Sequence, residues 1–143
     1  MTLARSYDAD AVNRAVNHPA VRPYVGAPDA GPLDLAPLVA RPEHWFLMDD
    51  HGGFMLAWSA PGVREVHTFM TPGGRGKWAN DRRSEMLDYA RENGAKMLWT
   101  RIPPAWRHVE RFARQGGMRP TEDVIDMFGT PYRIFAMELV KCQ

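Results

Sequence analysis

The chain has 143 residues with 18 Lys and Arg against 17 Asp and Glu, a formal charge of +1, so no global basic field argues for nucleic acid. A hydrophobic content of 45% with 24% charged residues is that of an ordinary soluble globular protein, and the length fits a single domain, 1–143, able to bury a real core. Cys142 is the only cysteine, which excludes an internal disulfide and a thiolate metal cluster within one chain and agrees with a reducing cytoplasm.

Thr2 to Tyr7 reads as a short first strand, and Asp8 or Asp10 can cap a helix carrying Ala11, Val12, Ala15 and Val16, stopped before Pro19. The opening Met1-Thr2-Leu3-Ala4-Arg5-Ser6 lacks a signal-peptide core, and no apolar run reaches membrane-spanning length, so the expected location is cytoplasmic. Residues 19–42 carry Pro19, Pro23, Pro28, Pro32, Pro37 and Pro42 with Gly26 and Gly31, the composition of an irregular segment with at most a turn or two of helix around Leu33 to Val39. Such a segment is either a lid or a proline-stiffened surface connection.

His44 to Met48 is a buried-type strand, Asp49 to Gly53 a turn, and Phe54 to Ser59 the returning strand. A second turn, Ala60-Pro61-Gly62-Val63, leads into Arg64 to Thr71, which completes a three-strand antiparallel meander. Pro72-Gly73-Gly74-Arg75-Gly76-Lys77 then turns into a helix of roughly four turns that presents Trp78, Met86, Leu87, Tyr89 and Ala90 on one face and is closed by Asn93-Gly94. Lys96 to Ile102 is a central strand whose crossover connection implies parallel pairing with Arg64 to Thr71. Pro103-Pro104 opens a helix, Ala105 to about Gln115, striped with Trp106, Val109, Phe112 and Ala113 and ended by Gly116-Gly117. Val124 to Phe128, the turn Gly129-Thr130-Pro131, and Tyr132 to Leu139 form a last hairpin.

The glycine-rich turn is the centre of interest. A strand-to-helix turn leaves backbone N–H groups free at the positive end of the helix dipole, where an anion such as a phosphate can sit; the plain alternative is an ordinary βα loop with surface cations. Gly74-Arg75-Gly76-Lys77-Trp78-Ala79 formally matches the dinucleotide pattern G-x-G-x-x-A, but the preceding strand belongs to an antiparallel meander and no ribose-binding acid follows the next strand at Arg101-Ile102-Pro103. A P-loop fails outright, since Lys77 is followed by Trp78 and Thr71 stands where its first glycine belongs.

Taken together, a short strand, helices, a meander, a glycine- and arginine-rich turn, a helix, a parallel strand, a helix ending in Gly-Gly-Met and a closing hairpin resemble the GNAT superfamily of acyl-CoA-dependent N-acetyltransferases over nearly the whole chain. In sequence the likeness rests on Met70-Thr71-Pro72-Gly73-Gly74-Arg75-Gly76-Lys77, which is similar to the family's V-x-P-x-x-R-G-K segment, and on Ile102 to Arg119, with Gly117-Met118 at the Gly-Phe place. Short GNAT-like proteins of bacteriophages and prophages show a comparable R-G-K turn. The resemblance implies an α/β (α+β) fold with a mixed, mostly antiparallel sheet of six or seven strands and helices on both faces. It implies further that amides from Arg75 to Asn80, with Gly74, Arg75, Gly76, Lys77, Trp78, Ala79 and Asn80 as the loop, bind the pyrophosphate of acetyl-CoA or another acyl-CoA, and that Met70 and Thr71 pair with the pantetheine arm.

For the general base, Glu65 and His67 alternate with Phe69 on one face of the strand before the turn, and imidazole has a useful pKa without tuning. The plain alternative pairs Glu65 with a surface cation and leaves His67 hydrogen-bonded or solvent-facing. His44, His51 and His108 have no metal-ligand spacing, and no metal is expected. Trp45, Trp58, Trp99 and Trp106 read as core. The tyrosine that many family members use as an acid falls on Ala113, beside Phe112. Two readings therefore stand: an acetyltransferase acting on a small-molecule or peptide amine by direct attack, or a catalytically degenerate GNAT-fold binding or assembly module, for instance in a phage context.

Overall fold

The computed structural model describes residues 3–27 and 29–139. Thr2, at the start of the first expected strand, lies outside these residues, as do Pro28 and Cys142. The first strand is β1, Ala4–Arg5, and the first helix α1, Ala9–Val16, capped by Asp8, whose side chain accepts the Ala11 N–H at 3.1 Å. Among its described residues the proline-rich stretch holds a single 3₁₀ turn at Arg22–Tyr24 and the one-turn helix α2, Ala36–Val39. It is nevertheless pinned: the Arg22 guanidinium donates to the carbonyls of Val25, Ala27, Ala30 and Gly31, and Asn13 and Asn17 hold Leu35 and Leu33 through their main chains.

The meander is β2, Trp45–Asp49, β3, Gly52–Ala60, and β4, Val63–Met70. Its turns are tighter than the sequence suggests, because the strands run on to the pairs Asp49 with Gly52 and Ala60 with Val63, leaving two residues in each loop. Helix α3, Lys77–Glu92, ends at Gly94, which takes φ +89° as a left-handed cap while the Ala95 N–H bonds back to Ala90. Strand β5, Met97–Ile102, follows. Helix α4, Arg107–Gln115, starts two residues later than expected. Two successive prolines force the chain through a turn closed by the Trp106 N–H on the Pro103 carbonyl before helical bonding can begin.

The closing hairpin is β6, Arg119–Met127, and β7, Thr130–Glu138. Its turn is Phe128-Gly129, both with positive φ (+52° and +75°), instead of the expected Gly129-Thr130-Pro131. The primed turn matches strand twist, so Pro131 is free to enter β7 opposite Asp126, while Pro120 is accommodated in the edge strand β6.

All seven strands form one sheet in the order β1-β2-β3-β4-β5-β7-β6, antiparallel except for β4 with β5. Strand alternation sends Leu47, Phe54, Leu56, Val66 and Leu98 to the face covered by α3 and α4, and Phe46, Met48, Met55 and Phe69 to the face covered by α1 and α2. Side chains this fully buried contribute about 1.5–3 kcal/mol each before the entropy of ordering them is subtracted. The tryptophans are less buried than expected: Trp58 is 48% exposed, and Trp45, Trp99 and Trp106 are only partly covered, since their wide rings sit at the margins of the two cores.

Candidate active site

The parallel pairing that organises the site is short. Strand β4 pairs with β5 at Val63, Arg64 and Glu65, opposite Met97, Leu98 and Trp99, and no pairing follows. Beyond that point side chains cross instead: the Thr100 hydroxyl donates to the Val66 carbonyl at 3.0 Å, and the Arg101 guanidinium reaches back to the Glu65 carboxylate. The strands splay, and a cavity of about 270 Å³ opens in the gap, lined on its floor by Val66, His67, Thr68, Met70, Thr100 and Arg101. Because the Thr71 N–H bonds to His51 across β3, alternation turns the main-chain groups of Thr68 and Met70 the other way, into the gap.

At the upper end of β4 the chain passes through a 3₁₀ turn, Pro72–Gly74, and reaches Gly76, the N-cap of α3, with φ +72° and ψ −134°, a conformation that favours glycine. The Gly74 N–H is bonded to Thr71, the Arg75 N–H to Pro72 and the Asn80 N–H to Gly76. The N–H groups of Gly76, Lys77, Trp78 and Ala79 have no partner among the described residues. They sit at the positive end of a 16-residue helix, and a Cβ added at Gly76 would meet open space.

The loop residues expected to bind a cofactor thus divide. Met70, Gly76, Lys77, Trp78 and Ala79 offer main-chain groups to the site. Thr71 does not, because its N–H and its hydroxyl are both taken by His51, and Asn80 does not, because its N–H closes the first helical turn. Gly74 is a packing glycine, since a Cβ there would lie 2.7 Å from the His51 Cβ. Arg75 lines the cavity, but its guanidinium ties the turn to the segment after α1, donating to the Ala20 carbonyl at 2.8 Å and the Met70 carbonyl at 3.3 Å. Lys77 points to solvent and pairs with Asp81. The Trp78 side chain folds back onto the β2–β3 turn, donating to Asp49 at 2.9 Å and meeting His51 edge-on, which leaves the helix terminus clear.

Glu65 and His67 come together as one cluster with a third member, Arg101. The guanidinium grips both Glu65 oxygens, at 2.6 and 3.0 Å, and His67 Nε2 lies 3.2 Å from Glu65 Oε1. Glu65 is a buried charged residue. Burial pushes its carboxyl up, but the hydrogen bonds and charges of His67 and Arg101 together outweigh burial and hold it below the ordinary glutamate value. It is therefore an anion that orients His67, and His67, unlike Glu65, lines the cavity.

Two groups that complete the cavity carried no signal in the sequence. Tyr24, from the proline-rich segment, stands edge-on to Trp106 at 4.9 Å and to His108 at 5.3 Å, and so roofs the gap from a position 43 residues before β4 reaches His67. Arg101 has no sequence motif that marks it; only the alternation of β5 opposite β4 could have suggested that it meets Glu65. Ala113 and Phe112 bring no hydroxyl to the site, as their types require. Among the described residues no group of three His, Cys, Asp or Glu is placed to hold a metal, and no helix is long and apolar enough to cross a membrane.

No protein-family model matches this sequence, and a search of curated proteins gives no match either. Solved structures do match in shape. A GNAT-family protein from Desulfovibrio desulfuricans superposes with a TM-score of 0.72 at 18% identity, covering 96% of this chain and 98% of its own. An acetyltransferase of the GNAT family from Bacillus anthracis gives 0.68 at 12% identity over 96% and 95%. A phosphinothricin acetyltransferase of the GNAT superfamily from Sinorhizobium meliloti, solved in complex with acetyl-CoA, gives 0.66 at 14% identity over 97% and 89%. The splayed strands, the bare helix terminus between them and these likenesses agree: the chain has the fold of the GNAT superfamily.

Proposed function

We propose that this chain is an acyl-CoA-dependent N-acyltransferase, transferring acetyl from acetyl-CoA to an amine by direct attack in the cytoplasm, and that residues 1–143 act as one domain. The observation that carries this reading is the path from the unpartnered N–H groups of Gly76 to Ala79, along the gap-facing edge of Thr68 and Met70, which no strand pairs and where Arg75 takes the Met70 carbonyl, to His67. The phosphates suit the helix terminus, whose dipole and free donors favour anions, and the amide-bearing arm suits a strand edge that lacks a partner.

Acetyl-CoA supplies the thioester carbonyl, at which a C–N bond to the amine forms as the C–S bond breaks. An amine is mostly protonated near neutral pH, so attack needs a base within the cavity. With Nε2–H donating to the Glu65 carboxylate, the His67 lone pair resides on Nδ1, which takes one proton from the ammonium and releases it to solvent, then takes a second from the nitrogen as the C–N bond forms; the imidazolium so formed is stabilised by Glu65 and returns that second proton to the departing sulfur. Glu65 and Arg101 act through His67 and are positioning residues.

Calorimetry with acetyl-CoA and CoA tests the reading. Binding of both in the micromolar range is expected, and failure of both to bind at millimolar ligand would overturn it. A degenerate binding module is favoured by one observation, the absence of a hydroxyl at Ala113 and Phe112. Tight CoA binding with no transfer to any amine would select that second reading.

A further inference from the structure

The acceptor end of the cavity has a chemistry of its own. Its lining includes Val21 and Tyr24 from the segment after α1 together with Trp106 and Phe112, apolar side chains whose polar groups are the Tyr24 hydroxyl and the Trp106 ring N–H. Tyr24 and Trp106 meet at 4.9 Å with an interplanar angle of 68°, and Trp106 meets Tyr132 at 5.9 Å, so the wall is a corner of interlocked rings and not a single exposed face. Among the described residues no Asp or Glu lines the cavity, and its ionisable members are Tyr24, His67, His108, Arg75 and Arg101. Glu65, which is bonded to the lining residues Arg101 and His67, is buried and already engaged by them. A second ammonium on an acceptor would therefore enter an apolar, cation-bearing space with no counter-charge, and an uncompensated charge out of water costs several kcal/mol.

Resting on the transferase reading, we propose that the acceptor is a monoamine carried on an aromatic body seated against Tyr24 and Trp106, and that polyamines and aminoglycosides are rejected for want of a carboxylate. Phenethylamine, spermidine and kanamycin are the probes. With saturating acetyl-CoA, kcat/KM for phenethylamine should exceed that for the other two by at least about tenfold, and Trp106→Ala should lower it by about tenfold or more, the scale of one lost buried contact. The same variant should keep its acetyl-CoA Kd within about threefold, which shows that it is folded; Tyr24→Ala serves as the second variant should Trp106→Ala fail that check.

Preference for spermidine or kanamycin overturns the proposal while leaving the transferase reading standing, as does an unchanged phenethylamine kcat/KM in both variants. Should acetyl-CoA fail to bind, the transferase reading falls, and direct titration of phenethylamine still decides the site: binding that is lost in Trp106→Ala supports an aromatic amine pocket, and no binding overturns it.

Discussion

Two side chains of the proposed chemistry, His67 and Glu65, have distinct expected phenotypes. Replacing His67 by Gln removes the base and keeps the shape, so kcat should fall by about 10²–10⁴ with the acetyl-CoA Kd unchanged; steady-state kinetics beside calorimetry check this, and wild-type turnover would dismiss His67 as the base. Glu65 is testable through stability as well. Its carboxyl titrates lower in the folded chain than unfolded, so its contribution is present above the ordinary value of 4.5 and is lost as pH falls through the depressed folded value. Urea unfolding of the wild type should therefore weaken progressively below about pH 4.5, while Glu65→Gln, less stable at neutral pH by about 1–3 kcal/mol, should lose less over that window. Parallel pH curves for the two proteins would contradict the Arg101–Glu65 clamp.

At the scale of elements, the turn into α3 works through its main chain. Gly76 holds φ +72° and ψ −134°, where a Cβ imposes strain, whereas Lys77 is a solvated cation paired with Asp81. Gly76→Ala should weaken acetyl-CoA binding by about tenfold or more, and Lys77→Ala by less than about threefold, since an exposed pair of this kind contributes little. Calorimetry on both variants checks the contrast, and the reverse order would mean that side-chain charge, not the array of amides, holds the phosphates.

The Gly-rich turn itself was legible in the sequence because strand, glycines and helix are contiguous and their signals local. Which of its amides are free was not legible: Thr71 is turned to His51 by a strand register set from β3, and Asn80 is withdrawn by the first helical hydrogen bond. The proline-rich segment read as irregular, and so it is, but Arg22 gathers four of its carbonyls into a roof that no composition could show.

At the scale of the whole molecule, ligand binding and folding should be linked. A hundredfold excess of acetyl-CoA over its Kd stabilises by about 2.7 kcal/mol, equivalent to a rise in Tm of about 8 °C for a chain of this size; a thermal melt with and without ligand measures it. Arg22→Ala should loosen the roof, showing faster amide exchange from residues 22 to 31 with little change in the exchange of β3 and β4.

By itself the sequence determined the order of strands and helices, the parallel crossover and the anion-ready turn, because hydrophobic period, proline and glycine act over a few residues. The tertiary structure alone decided where β4 and β5 part, that Arg101 clamps Glu65 beside His67, and that Tyr24 and Trp106 close an acid-free pocket. Arg101 lies tens of residues from Glu65, and Tyr24 from Trp106, and only the pairing of β4 with β5 and the packing of segments onto the sheet bring each pair within a hydrogen bond or a ring contact.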